Sequence, residues 1–162
     1  MEAGPVRDAV IAVIGLYTDQ LQVKIKQVDP NLPLPSYQTT GAAGFDLVTR
    51  ADTTIPSGAF GLVPANVIVE IPYGYALFVA SRSSTPRRTG LVIPHGIGIV
   101  DADYHGDDDE VKVQVWNTTN RPVTVCRGDR IAQGLLVKIE SVSWQVESGM
   151  FGDTRGGFGS TG

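Results

Sequence analysis

Val111-Lys112-Val113-Gln114-Val115 alternates apolar and polar residues at every step. A period of two puts the valines on one side of a pleated strand, with Lys112 and Gln114 on the other. Working outward, segments 21–25, 61–71, 76–80, 111–116, 123–125 and 135–139 are alternating or β-branched in the same way. The 19 glycines and 10 prolines are spread along the chain and punctuate it every few residues, which suits many short strands joined by turns. Thr118-Thr119-Asn120-Arg121-Pro122 reads as the turn between two paired strands. No stretch sustains a helical period, and a short helix between strands is only weakly signalled. The expected fold is all-β, a jelly-roll-like sandwich or barrel. Residues 1–20 read as an N-terminal extension adding a helical turn or a strand, 21–147 as the β domain, and 148–162 as a flexible glycine-rich tail.

At 162 residues the chain fits one domain with one core. Its 42% hydrophobic and 19% charged residues place it among globular rather than disordered chains. A formal net charge of -4 argues against a nucleic-acid polymer as partner. It does not exclude a small anion held by a local group of arginines and backbone N–H groups. The single cysteine, Cys126, excludes an intramolecular disulfide and reads as a buried hydrophobe. A reducing, cytoplasmic setting is the simplest expectation, with nuclear or virus-associated settings also compatible. The apolar run 9–16 is too short for a bilayer, and its lead-in carries Glu2 and Asp8 beside Arg7, unlike a signal peptide. No membrane partner is expected.

Several segments carry side chains suited to chemistry. Asp101 and Asp103 bracket Ala102 ahead of Tyr104, and on a strand both carboxylates would face one side. Such a pair beside a ring suits a water or metal against a sugar, or a plain polar turn. Pro94-His95-Gly96-Ile97-Gly98-Ile99-Val100 reads as a Gly-bent hairpin whose open main-chain groups can pair with a base edge. His95 either contacts that base or caps the turn. Arg82 with Ser83 and Ser84 is either a phosphate fork or a solvated turn. Gly128-Asp129-Arg130 looks like a tight turn before a strand holding Gln133. In the tail, Phe158 sits among glycines with Arg155, Ser160 and Thr161 around it, which suits a lid or a disordered end. Asp107-Asp108-Asp109-Glu110 reads as a solvated loop, Pro86-Arg87-Arg88 as solvated or inter-subunit surface, and Trp116 and Trp144 as core or interface.

Five segments resemble, in order, the five motifs of the trimeric dUTPase family: Ala43-Gly44-Phe45-Asp46-Leu47, Arg82-Ser83-Ser84, Gly98 to Tyr104, Gly128 to Gln133, and Arg155 to Gly162. The resemblance covers about residues 21 to 162. It implies hydrolysis of dUTP to dUMP and pyrophosphate with Mg²⁺, in a homotrimer whose sites are shared between subunits. It implies that Asp101 orients and deprotonates the attacking water, and that Tyr104 lies on the deoxyribose C2′ and excludes UTP. His95, Gly98 and Ile99 belong to the uracil hairpin. Arg82, Ser83 and Gln133 are implied on the triphosphate, and Ser84, where relatives commonly have Gly, in the same substrate-binding segment. In the tail, Arg155, Gly159, Ser160 and Thr161 are implied on the phosphates and Phe158 on the base. Asp46 is implied in the outer shell of the metal through water, or as a brace at a subunit contact. The tail departs from the family pattern: relatives commonly place arginine five residues before the phenylalanine, where Asp153 stands here, and Arg155 is three before it.

Two rivals are weighed against this. A dCTP deaminase shares a similar fold and an Arg-Ser-Ser motif, but carries a catalytic Glu three residues before the Asn that ends its strand. Here that Asn is Asn117 and the matching residue is Gln114, an amide that cannot act as a general base. A scaffold that kept the fold and lost activity is disfavoured by the intact Asp101 and Tyr104.

Overall fold

The structure, a computed structural model, describes residues 21–157. The expected extension 1–20 and the tail residues Phe158, Gly159, Ser160 and Thr161 lie outside the described residues. Among the described residues eleven strands build the fold: β1 (Lys24–Gln27), β2 (Phe45–Leu47), β3 (Thr53–Ile55), β4 (Phe60–Pro64), β5 (Val67–Glu70), β6 (Tyr75–Ser81), β7 (Leu91–Val92), β8 (Ile97–Val100), β9 (Lys112–Asn117), β10 (Val123–Val125) and β11 (Ala132–Lys138). A short helix, α1 (Thr85–Thr89), sits between β6 and β7. The sheets run β2-β11-β6-β8, β4-β9-β7, β1-β5 and β10-β3, and every pairing is antiparallel. This is the expected all-β jelly-roll-like sandwich.

The opening pentapeptide behaves as its period requires. Along β9 exposed and buried residues alternate without a break, with Val113, Val115 and Asn117 inward and Lys112, Gln114 and Trp116 outward. The valines join Leu47, Ile55, Val63, Val67, Leu77, Leu91 and Val125 in one core. Each such side chain, fully withdrawn from water, contributes about 1.5–3 kcal/mol before the entropy of ordering is subtracted. Asn117 is buried among them because its amide is fully used: Nδ2 donates to the carbonyls of Ile55 (3.0 Å) and Arg121 (2.8 Å), and Oδ1 accepts from the Thr119 N–H (2.9 Å).

Several sequence expectations change. Segment 61–71 is two strands, because Asn66 turns the chain at φ 64 and bonds Asp29 through both ends of its amide. The 118–122 turn does not join paired strands: β9 pairs with β4 and β7, while β10 pairs with β3. The turn at 94–96 is present, but its arms separate, β7 going to β9 and β8 to β6. Strand β8 stops at Val100, so Asp101 and Asp103 lie in the following turn and not on one strand face. Cys126 is exposed, not buried, because it opens the tight turn after β10 and not the strand itself. Trp144 (88% exposed) and Trp116 (40%) are not core residues of this chain. Pro86, Arg87 and Arg88 are exposed, as a surface segment should be, but they are helical, with proline in the first turn, where its missing N–H costs nothing. Glu110 does not belong to a solvated loop; it is 6% exposed. Residues 139–157 form no strand or helix.

Candidate active site

Three clusters of predicted residues stand out, and their placement follows from strand register. The first gathers around Asp46, which is buried on β2. Its Oδ1 lies 2.8 Å from Arg82 Nε, and its Oδ2 lies 3.1 Å from Arg130 Nη1. Arg82 also donates from Nη1 to the Arg130 carbonyl (3.2 Å). One carboxylate therefore orients two guanidinium groups; Arg130 Nη1 also donates to Gln38 Oε1 (2.9 Å), and the N–H donors left over can meet an anion. Arg82 begins the segment after β6, where Ser83 is exposed and Ser84 precedes α1. Thr85 locks that segment down by donating its hydroxyl to the Ile131 carbonyl (2.7 Å). A cavity lined by Arg82, Ser84, Arg88, Gly128 and Arg130 opens beside it. Three arginines against one carboxylate, Asp129, leave the lining net positive, a basin for phosphate-like charge.

Gln133 joins this cluster through β11, where it faces Asp46 across β2 and Ala80 across β6. Its Nε2 reaches the Ser81 carbonyl at 3.4 Å. Gly44 packs closely beside it: a Cβ there would lie 3.0 Å from Gln133 Oε1 and 3.2 Å from the Gly134 carbonyl, so a side chain would have to displace them. Gly128 (φ 90) makes the turn that delivers Arg130, and Asp129 closes the turn by accepting the Cys126 N–H on Oδ2 (2.8 Å). By sequence Arg130 is equally a structural turn residue; its ion pair with Asp46 is what brings it here.

The second cluster is the 95–100 segment. β8 is the edge strand of its sheet, paired with β6 on one side only. Its other edge leaves alternate main-chain N–H and C=O groups free to pair with a flat hydrogen-bonding edge. The turn before it is closed by backbone bonds, Gly96 N–H to Ile93 O (3.0 Å) and Ile97 N–H to His95 O (2.9 Å), with Gly96 at φ 78. His95 is not needed to close it. Its imidazole lies over Gly98, where an added Cβ would come 3.4 Å from Cε1. His95, Gly98, Ile99 and the outward Gln114 line one pocket.

The third cluster follows β8. Asp101 is exposed, and its carbonyl accepts the Tyr104 N–H at 3.2 Å. The Tyr104 hydroxyl donates to the Glu110 carbonyl at 3.3 Å. Across the β6–β8 register Leu77 faces Val100, so Asp101 stands at the Ala76 end of β6 and Arg82 beyond the other end. From 76 to 82 along a strand is about 20 Å. Among the described tail residues, Arg155 is exposed and stands in none of these clusters. Among the described residues no group of three His, Cys, Asp or Glu side chains is placed to hold a metal.

A family model described as dUTPase matches residues 30–162. The chain belongs to the dUTPase family. It is 39% identical over 158 residues to the deoxyuridine 5'-triphosphate nucleotidohydrolase of Thermobifida fusca, covering 95% of this chain and 86% of that one. The crystal structure of dUTPase from Streptococcus mutans superposes with a TM-score of 0.69 at 32% identity, over 74% of this chain and 98% of that chain. The dUTPase of Staphylococcus bacteriophage 80alpha, a G164S mutant with dUpNHpp, shares the fold at a TM-score of 0.77 and 21% identity, over 88% of this chain and 99% of that one. The enzyme hydrolyses dUTP to dUMP and pyrophosphate. No helix of the described residues is long and apolar enough to cross a membrane.

Proposed function

We propose that dUTP is bound and cleaved between chains of a homotrimer, with Asp101 of one chain serving the phosphates held by Arg82 of another. The observation that carries this is the separation of about 20 Å between the two ends of β6. A water activated by Asp101 attacks the α-phosphorus, and Ser83 lies by the oxygen joining the α and β phosphates. Both must touch one phosphoryl group, which two ends of one strand cannot do. The apolar side chains exposed on β4 and β9 support the same assembly: Phe60 (61% exposed), Leu62 (58%) and Trp116 form a face that a second chain would cover.

In this reading the uracil edge pairs with the free edge of β8, as an added strand would, with His95, Gly98 and Ile99 around the ring. The Tyr104 ring packs on C2′ of the sugar and leaves no room for a 2′-hydroxyl. Arg82 and Arg130, aimed by Asp46, take the phosphate oxygens, helped by Ser83, Ser84 and Gln133. Asp101, exposed at the end of β8, is the general base for the attacking water. The tail, with Arg155, Phe158, Gly159, Ser160 and Thr161, closes over base and phosphates and excludes bulk water.

Mg²⁺ fits this donor set as an ion carried by the triphosphate and its own waters, the ligation that it prefers. Asp46, the carboxylate that aims Arg82 and Arg130, would act on that ion through water. Bound there, Mg²⁺ supplies positive charge that stabilises the departing pyrophosphate. The proposed setting is cytoplasmic, and no nucleic-acid polymer is a partner. At micromolar concentration light scattering is expected to give the mass of three chains. A monomer with full dUTP turnover would refute the shared site.

A further inference from the structure

The sugar-facing tyrosine is tied at both ends. Its backbone N–H is on the Asp101 carbonyl, and its phenol is on the Glu110 carbonyl. Glu110 is an unusual anchor, the one buried member of an acidic run whose neighbours are exposed or half-exposed. Its carboxylate is fully engaged. Arg50 Nε reaches Oε1 at 2.8 Å and Nη2 reaches Oε2 at 2.9 Å, a two-pronged pair, and the Asn66 N–H donates to Oε1 at 2.9 Å. The pairing raises the Arg50 pKa, chiefly through the hydrogen bond to Glu110. The next residue is fixed as well: the Val111 N–H donates to Val67 O and its carbonyl accepts from the Ala65 N–H, both at 2.9 Å. Arg50 in turn is held by its N–H on the Pro64 carbonyl (2.9 Å). The Glu110 carbonyl is therefore a fixed point of the barrel, reached across an otherwise exposed loop. Without that point, the half-exposed Tyr104 ring would be held only through its own backbone.

We propose that Glu110, clamped by Arg50, is a positioning residue that fixes the Tyr104 ring against the sugar and so sets discrimination between deoxyribose and ribose. The inference rests on the reading of Tyr104 as the sugar gate. A steric gate excludes a hydroxyl only as firmly as its ring is held, because a ring free to move by a fraction of an ångström makes room at little cost. The Arg50–Glu110 pair touches no substrate; it acts through the tyrosine.

The test is the ratio of kcat/KM on dUTP to kcat/KM on UTP, measured for four single variants and two double variants beside the wild type. Tyr104→Phe keeps the ring and removes the tie, and the ratio is expected to fall about three- to tenfold, the span of one net hydrogen bond. Glu110→Gln and Arg50→Lys loosen the anchor from the other side, the lysine because it lacks the two-pronged fork. Each is expected to lower the ratio in the wild-type background and to add nothing in the Tyr104→Phe background. A purely structural role would lower the melting temperature and leave the ratio alone. If Glu110→Gln does not fold, Tyr104→Phe and Arg50→Lys carry the test. A wild-type ratio in Tyr104→Phe, or a further fall in its background, overturns the proposal. Tyr104→Ala keeps the two claims apart. If it leaves the ratio unchanged, the sugar-gate reading itself is wrong. If it relaxes the ratio while Tyr104→Phe does not, only the anchor is wrong.

Discussion

Asp101→Asn is expected to lower kcat on dUTP by about 10²–10⁴-fold, the usual contribution of a positioned general base. The substitution keeps the shape of the side chain and removes both the charge and the proton acceptor. Asp101 is exposed at the end of β8 and its side chain takes part in no ion pair among the described residues, so folding should be untouched. The bond between its carbonyl and the Tyr104 N–H is main-chain and survives. Nucleotide affinity should stay near that of the wild type, because the phosphates are held by the other cluster. Turnover is measured by pyrophosphate release and affinity by calorimetry with a non-hydrolysable analogue. Wild-type turnover in the variant would mean that another group activates the water.

Arg82→Ala is expected to cost about 10²–10³-fold in kcat/KM, the scale on which one aimed donor stabilises developing charge. The loss has two parts. The guanidinium that meets the phosphates is gone, and Asp46 keeps only Arg130 as a charged partner on its buried carboxylate. Leaving that oxygen short of a partner destabilises the fold by about 1–3 kcal/mol, which a melting curve will read. This variant should therefore lose both stability and activity, whereas Asp101→Asn should lose activity alone. A variant at Arg82 with normal kcat/KM would remove the phosphate basin from the account.

The contrast between those residues also shows what a sequence can disclose. The alternation of β9 was legible because a strand's period is local, and burial follows it at every residue. The turn at Gly128 was legible for the same reason, since glycine announces a positive φ. The pairs that organise the site are not local. Asp46 meets Arg130 and Arg50 meets Glu110 across long stretches of chain, and no period or spacing marks them. Glu110 looked like the end of a solvated acidic run because nothing near it in sequence reveals Arg50. The hairpin at 94–100 misled in the opposite way. Its turn chemistry is local and correct, but which sheet each arm joins is decided by distant strands. Cys126 misled because a small hydrophobe is usually buried, and here the turn after β10 carries it outward.

The central claim is that Asp101 and Arg82 of one chain serve different nucleotides. Two chains carrying Asp101→Asn and Arg82→Ala separately, each with its own tag, can be co-expressed and purified through both tags in turn. Each homotrimer is inactive, or nearly so, by the losses given above. In mixed trimers some sites combine an intact Asp101 from one chain with an intact Arg82 from its neighbour. Whichever chain is doubled, a cyclic mixed trimer has one such site in every three, and dUTP hydrolysis should recover to roughly a third of the wild-type rate. Mixed trimers no more active than the two parent variants would contradict the account and place the whole catalytic set within a single chain.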